Sequence, residues 1–367
     1  EKSKHLINQV ISEFKNAKSA DKQIEAIKKV DNFSRDYMTY QAMASLNFSR
    51  NINDVDAKAE KDYYDSISPD MTELYDKFDK VLHESKFKQN IIDEYGNTFL
   101  NQIEISLKTF DSKIKNLLKR EIELKNDYTK LTAGAKINFE GKDYNLAGLG
   151  PFHSDTNRDI RKKSYEARYR WFKNNEQELD NIYDKLVKLR HKIAVTLGYE
   201  NFIKLGYDRM GRSDYGPEEV SNFRKQIVEQ VVPIVSKLHD QKKDILGLDK
   251  LYFYDGINFR DGDPKPKGTP NELIKSAQEM YHELSPETGD FFDKMVNEEL
   301  MDLVNRDGKR PGGFCTSFPK YDRPYIFSNF NGTDHDITVL THEAGHAFQN
   351  YSSTHLPLVN YHWPTME

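Results

Sequence analysis

His342-Glu343-Ala344-Gly345-His346 sets two imidazoles four residues apart, with a carboxylate next to the first. On an α-helix, positions i and i+4 project from one face, so His342 and His346 can aim ring nitrogens at a single point. Two such nitrogens suit a tetrahedral Zn²⁺, which keeps a further position for water. Glu343 then stands beside that water. A carboxylate there can take a proton from a water whose pKa zinc has lowered toward neutrality, and later pass it to a departing amine, which is the chemistry of peptide-bond hydrolysis. The reading is therefore one zinc ion held by His342 and His346, with Glu343 as general base. Manganese and cobalt suit the same donors.

This spacing requires a helix, and the flanking residues predict one. Thr333 and Asp334 are competent N-caps, Asp334 and Asp336 bring negative charge to the first turn, and Ile337, Leu340 and Ala344 recur at helical intervals along the side expected to be buried. Gly345 weakens the helix by about 1 kcal/mol relative to alanine. It makes sense if something packs closely there and is a defect otherwise. Upstream, Gly312–Phe318 and Tyr325–Phe330 are aromatic and β-prone, joined by a polar link with Pro319 and Pro324, and predict two strands leading into the helix. An edge strand beside a metal can hold an extended peptide by main-chain hydrogen bonds. Gly312 and Gly313 would let a substrate backbone come close, so Gly312, Gly313 and Phe314 are candidate substrate-binding residues. An ordinary hairpin packing the helix is the other reading, and the two are compatible.

Nearby histidines are set aside. His335 shares the motif's face but lies about 10 Å away along the axis, and His355 and His362 fall in a loop with Pro357 and Pro364. Cys315 is read as a small packing residue, since no histidine is placed to activate it.

The remaining elements predict a mainly α protein. Of the 367 residues, 37% are hydrophobic and 31% charged, which favours long amphipathic helices over a sheet buried on both faces. The net charge of −5 is interleaved along the chain, so no basic stripe argues for nucleic acid. No apolar run approaches the ~20 residues of a membrane helix, and Glu1-Lys2-Ser3-Lys4 begins no signal peptide. The single cysteine fits a reducing cytoplasm. Helical periodicity predicts a hairpin of Leu6–Ala17 with Ile24–Phe48, a helix from Val55 to Ser66 stopped by Pro69, another from Met71 to Phe87, and a long one carrying Ile103 through Tyr128. Alternation over Ala135–Phe139 and Tyr144–Leu146 around Glu140-Gly141-Lys142-Asp143 predicts a β-hairpin. Asp155 or Thr156 caps a helix running toward Phe172, whose Arg158, Arg161, Lys162, Lys163, Arg168 and Arg170 are read as a solvated face in preference to a phosphate or peptide-carboxylate site. Further helices are expected over Leu179–Leu197, from Gly216-Pro217 with Val220, Phe223, Ile227, Val231 and Ile234, over Pro270–Glu283 and over Pro286–Val304, with Asp261–Gly268 as a loop. Two regions result, a helical 1–131 and the first part of a catalytic region, 132–367. Pro364-Thr365-Met366-Glu367 reads as the start of another helix, so the chain is expected to be a fragment. Glu367, 21 residues after His346 (367 − 346 = 21), is not expected to be a ligand.

The sequence resembles the M3 oligoendopeptidases, in particular the oligoendopeptidase F and Pz-peptidase branch. The blocks that carry this are Ser106-Leu107-Lys108-Thr109-Phe110, Ala135-Lys136-Ile137-Asn138-Phe139-Glu140-Gly141, Ser285-Pro286-Glu287-Thr288, Gly312-Gly313-Phe314-Cys315-Thr316, Phe330-Asn331-Gly332-Thr333 and Leu340 through Phe348, in order along nearly the whole chain. The resemblance implies a closed-up, multi-helix body with a deep substrate channel, a zinc at its floor and hydrolysis of short peptides. It matches His342 and His346 to the family's zinc histidines and Glu343 to its general base. It also implies a third ligand, a glutamate on the following helix about one turn beyond Glu367, with a histidine and a tyrosine that bind substrate further on. A peptide-binding homologue that keeps the fold without cleaving is the alternative, and the intact Glu343 argues against it. A zinc deacetylase or other amide hydrolase is a further reading, disfavoured by the aromatic strands. Nothing in the sequence fixes an oligomeric state.

Overall fold

The computed structural model describes residues 2–363. Helices Lys2–Asn16, Ala20–Arg50, Val55–His83, Lys88–Tyr95 and Asn97–Thr109 bury Ile7, Val10, Phe14, Phe78, Leu82 and Ile91 among one another. The expected stop at Pro69 does not occur, because Pro69 lies buried inside Val55–His83. A proline removes one hydrogen bond and crowds the preceding turn. Here Met71, Leu74 and Phe78 pack into the same core on its far side, and that burial carries the helix through. The expected long helix through Phe110 is instead two. Phe110 is extended, Asp111 accepts from the Lys113 N–H at 2.8 Å, and the chain restarts as Lys115–Ala133.

A small hairpin follows, β1 (Ile137–Phe139) and β2 (Lys142–Tyr144), antiparallel with Asn138 opposite Asp143. It packs under the helix Arg158–Asn174, which is capped by Asn157 and not by Asp155 or Thr156. That helix is less solvated than its sequence suggests. Arg161 is buried, and with Arg158 it holds the buried carboxylate of Asp255. Helix Glu176–Thr196 covers Phe110 and Ile114, and Pro217–Gln226 continues through a π-turn at Ile227–Val231 into Val232–Leu246. Phe223, Val231 and Ile234, one on each of these three segments, are exposed.

Helices Pro270–Leu284 and Pro286–Asn297 lead to the sheet that carries the motif. The second was expected to reach Val304. It ends at Asn297, Glu299 takes a left-handed φ of 55°, and Met301–Val304 forms β3. Strands β4 (Phe314–Phe318) and β5 (Arg323–Phe330) are the expected pair, antiparallel with Cys315 opposite Ile326. Because β3 pairs with β5 in parallel, the sheet is three-stranded and mixed, in the order β3-β5-β4. Among the described residues no helix is long and apolar enough to cross a membrane.

Candidate active site

The motif helix spans His335–Ser353 and turns Leu340, Ala344 and Ala347 onto Ile326, Phe327 and Phe330 of β5. Ile337, expected on the buried side, is 47% exposed, while Asp336 is 4% exposed. The reason lies in how the helix starts. Asp336 accepts from the N–H groups of Asn331 (3.0 Å) and Gly332 (2.8 Å), which pins the first turn to the end of β5 with Asp336 in place of Ile337 on the buried side. Asp334 stands at the N-cap but makes no side-chain cap bond.

The Nε2 atoms of His342 and His346 are 3.2 Å apart, with their ring planes at 88°. Two zinc–nitrogen bonds of about 2.0–2.1 Å meeting at the tetrahedral angle separate their nitrogens by about 3.3 Å, so the pair already has the spacing such an ion requires. Among the described residues no group of three His, Cys, Asp or Glu side chains is assembled for a metal, which leaves these two donors. His342 is exposed and His346 half-buried, with the Trp363 ring 6.0 Å from His346. A Cβ added at Gly345 would meet nothing within 4 Å, so within the described residues no close neighbour explains that glycine.

Glu343 is only 7% exposed, on the side of the helix facing β4. Burial pushes its pKa up. The imidazoles of His342 and His346, followed by the Cys315 backbone N–H, act in the other direction. The carboxylate lies against the residues leading into β4, the edge strand of the sheet. Gly313 makes this approach possible: a Cβ there would lie 2.9 Å from Val339 Cγ1 and 3.4 Å from Glu343 Oε1. Gly312 has φ 98°, a conformation that side chains other than glycine's disfavour. Both glycines also line a cavity of about 590 Å³ beside the motif helix. Phe314 is stacked on Phe327 with ring centroids 4.6 Å apart, packed against the core and outside that cavity wall.

The other histidines lie apart from the pair. His335 lines the cavity. His355 Nδ1 sits 2.7 Å from the Ser352 carbonyl. His362 is buried near Arg35, and burial lowers its pKa. Burial, followed by the charge of Glu343, pushes the Cys315 thiol up to about 12, which makes it a packing group. Two supports escaped the reading of the sequence. Asn329, next to the last residue of β5, donates to the carbonyls of Arg310 (2.8 Å) and Gly312 (2.7 Å) and so shapes the glycine loop. Lys309 is buried and gives hydrogen bonds to Asp302 Oδ1 and to the carbonyls of Asp302 and Val304, tying that loop to β3. An asparagine inside an otherwise aromatic strand was the one available signal.

Fold and site together define a helical protein organised around a His-Glu-x-x-His helix laid on a small mixed sheet. Residues 152–367 match the model of peptidase family M3, and residues 1–110 match that of the M3 N-terminal domain. The chain belongs to peptidase family M3, on its oligoendopeptidase F branch. A solved structure of Pz peptidase A with an inhibitor is similar, with a TM-score of 0.98 and 43% identity over 100% of this chain and 65% of that one. An oligoendopeptidase F homolog of Borreliella burgdorferi is 26% identical over 226 residues, 59% of this chain and 36% of that protein. The plasmid oligoendopeptidase F of Lactococcus lactis subsp. cremoris is 24% identical over 346 residues, 85% of this chain and 55% of that protein. The chain thus spans between 36% and 65% of the length of these three relatives.

Proposed function

We propose that this chain carries the two-histidine half of a zinc endopeptidase centre that hydrolyses short, unfolded peptides in the cytoplasm. The observation that carries the reading is the 3.2 Å convergence of His342 and His346 Nε2 beside the buried carboxylate of Glu343. When bound, the zinc supplies Lewis acidity and lowers the pKa of a nearby water. Glu343 accepts that water's proton and returns it to the leaving amine, and the low-dielectric strand–helix seam around it strengthens its basicity. β4 and the loop at Gly312 and Gly313 align the peptide, with Phe314 holding the loop against the core. Regions 1–131 and 132–367 act as helical buttress and catalytic floor. The third ligand comes from outside the described residues, and Glu367 also lies outside them.

The test uses zinc-loaded protein and a ten-residue peptide, with and without chelator. Glu343→Gln is expected to retain zinc by elemental analysis while turnover falls by at least ~10²–10⁴-fold. His342→Ala and His346→Ala are expected to lose the metal. Unchanged turnover in Glu343→Gln with full metal content overturns the general-base role. Selective peptide binding without any hydrolysis would favour the non-cleaving homologue.

A further inference from the structure

The cavity beside the motif helix is walled by helix Lys115–Ala133, the turn at Gly150–His153 with helix Arg158–Asn174, the loop before β4 and the first turns of the motif helix. Gly313 and Val339 are part of its wall, so it opens toward Glu343. Val339 precedes the midpoint of the two histidines by five residues, roughly 7–8 Å of helix. An extended peptide covers that distance in two or three residues at about 3.3 Å each.

Its polar lining is unusual. Arg168 and Arg310 both face it, and among the described residues neither forms an ion pair, whereas Arg158 and Arg161 on the same helix as Arg168 are engaged by Asp255. Arg168 spends one Nη1 bond on the Leu146 carbonyl, at 3.0 Å. Arg310 is exposed at the cavity and rests over the Phe314 ring. Two unsatisfied acceptors lie behind the cavity wall. His153 Nε2 and Asn329 Oδ1 are both sealed from solvent and without a hydrogen-bond partner. The His153 ring is fixed by stacking on Tyr165, with centroids 4.0 Å apart. Burial, then the charge of Arg168, pushes its pKa down to about 4, so the ring is neutral at pH 7. Asn329 is fixed by the two carbonyls its amide holds. Two guanidinium groups without a carboxylate partner on the walls of one cavity complement a carboxylate.

We propose that Arg168 and Arg310 form a subsite for a peptide carboxylate two or three residues from the scissile bond. The carboxylate is either a chain terminus or an acidic side chain. The inference rests on the peptidase reading only in taking the ligand to be a peptide, so its test avoids turnover. Metal-free protein is titrated into three fluorescently labelled hexapeptides of otherwise equal sequence: one with a free C-terminus, one amidated, and one amidated with an internal aspartate. The wild type is expected to bind at least one carboxylate peptide about tenfold or more tighter than the neutral amide, and which of the two gains identifies the source. Arg310→Gln and Arg168→Gln are each expected to erase that preference and leave the affinity for the neutral amide unchanged. The exposed neighbour Arg170→Gln is expected to keep it. Equal affinity for all three peptides, no measurable binding, or an equal loss for charged and neutral peptides in the arginine variants at unchanged thermal stability overturns the subsite. Selective binding by a protein that hydrolyses nothing would preserve the subsite and remove the peptidase reading.

Discussion

Gly313 shows how one missing Cβ sets the chemistry. Glu343 and the motif helix can lie against the strand only because nothing projects from Gly313, where a Cβ would stand 2.9 Å from Val339 Cγ1 and 3.4 Å from Glu343 Oε1. Gly313→Ala forces either the strand or the helix to shift. Overpacking of this kind typically destabilises by about 1–3 kcal/mol, and the displaced carboxylate is expected to lower turnover while zinc content stays constant. Adding Val339→Ala, which removes the obstructing methyl, should restore most of both in urea denaturation and peptide assays. Full stability and turnover in Gly313→Ala alone would show that the approach is not tight. The sequence made the histidine pair legible, because helix geometry alone fixes where i and i+4 point. It did not show that Gly313 answers to Val339 and Glu343, since that contact joins segments more than 20 residues apart (339 − 313 = 26).

The elements divide in the same way. β4 and β5 were readable from their aromatic, β-branched runs, whereas β3 was hidden in an amphipathic pattern that continues the preceding helix and is broken only by the left-handed Glu299. Pro69 misled in the opposite direction, because tertiary burial outweighs a local penalty of about 3 kcal/mol. The start of the motif helix gives a sharper contrast. Both Asp334 and Asp336 look like first-turn acids, yet of the two only the Asp336 carboxylate receives hydrogen bonds, two from the backbone at the end of β5. Asp336→Ala leaves two N–H groups unsatisfied in a largely buried place and is expected to cost on the order of 2–3 kcal/mol. Asp334→Ala, at an exposed position without a cap bond, should stay within about 0.5 kcal/mol of wild type. Equal losses in denaturant titrations would mean that the dipole, and not the anchor, sets the start of the helix.

At the scale of the whole molecule, the composition indicated a helical body, but not which basic residues hold it together. The run from Arg158 to Arg170 serves three uses: Arg158 and Arg161 hold Asp255, Arg168 faces the cavity, and Arg170 stays in solvent. Asp255 joins helix Arg158–Asn174 to the segment after Leu246. It accepts Arg158 Nε and Nη2 at 2.8 Å each, Arg161 Nη2 at 3.2 Å and the Tyr252 N–H at 2.8 Å. Burial by itself would push its pKa up. The hydrogen bonds from Arg158 and the Tyr252 N–H, with the charge of Arg158, outweigh that and hold it at about 2, below the ordinary 3.8. A carboxylate depressed in the folded state contributes stability that is fully present above its unfolded pKa and is lost as pH falls through the folded one. The window here is pH 4 down to 2, and the loss is on the order of 2 kcal/mol. Asp255→Asn leaves the buried Arg161 without its counter-charge and is expected to cost about 3–5 kcal/mol at pH 7. The gap between wild type and variant, read from urea unfolding at pH 7, 4 and 3, should be constant down to about pH 4 and then narrow. A gap that holds its full width at pH 3 and below would show that Asp255 is not the group losing its charge there.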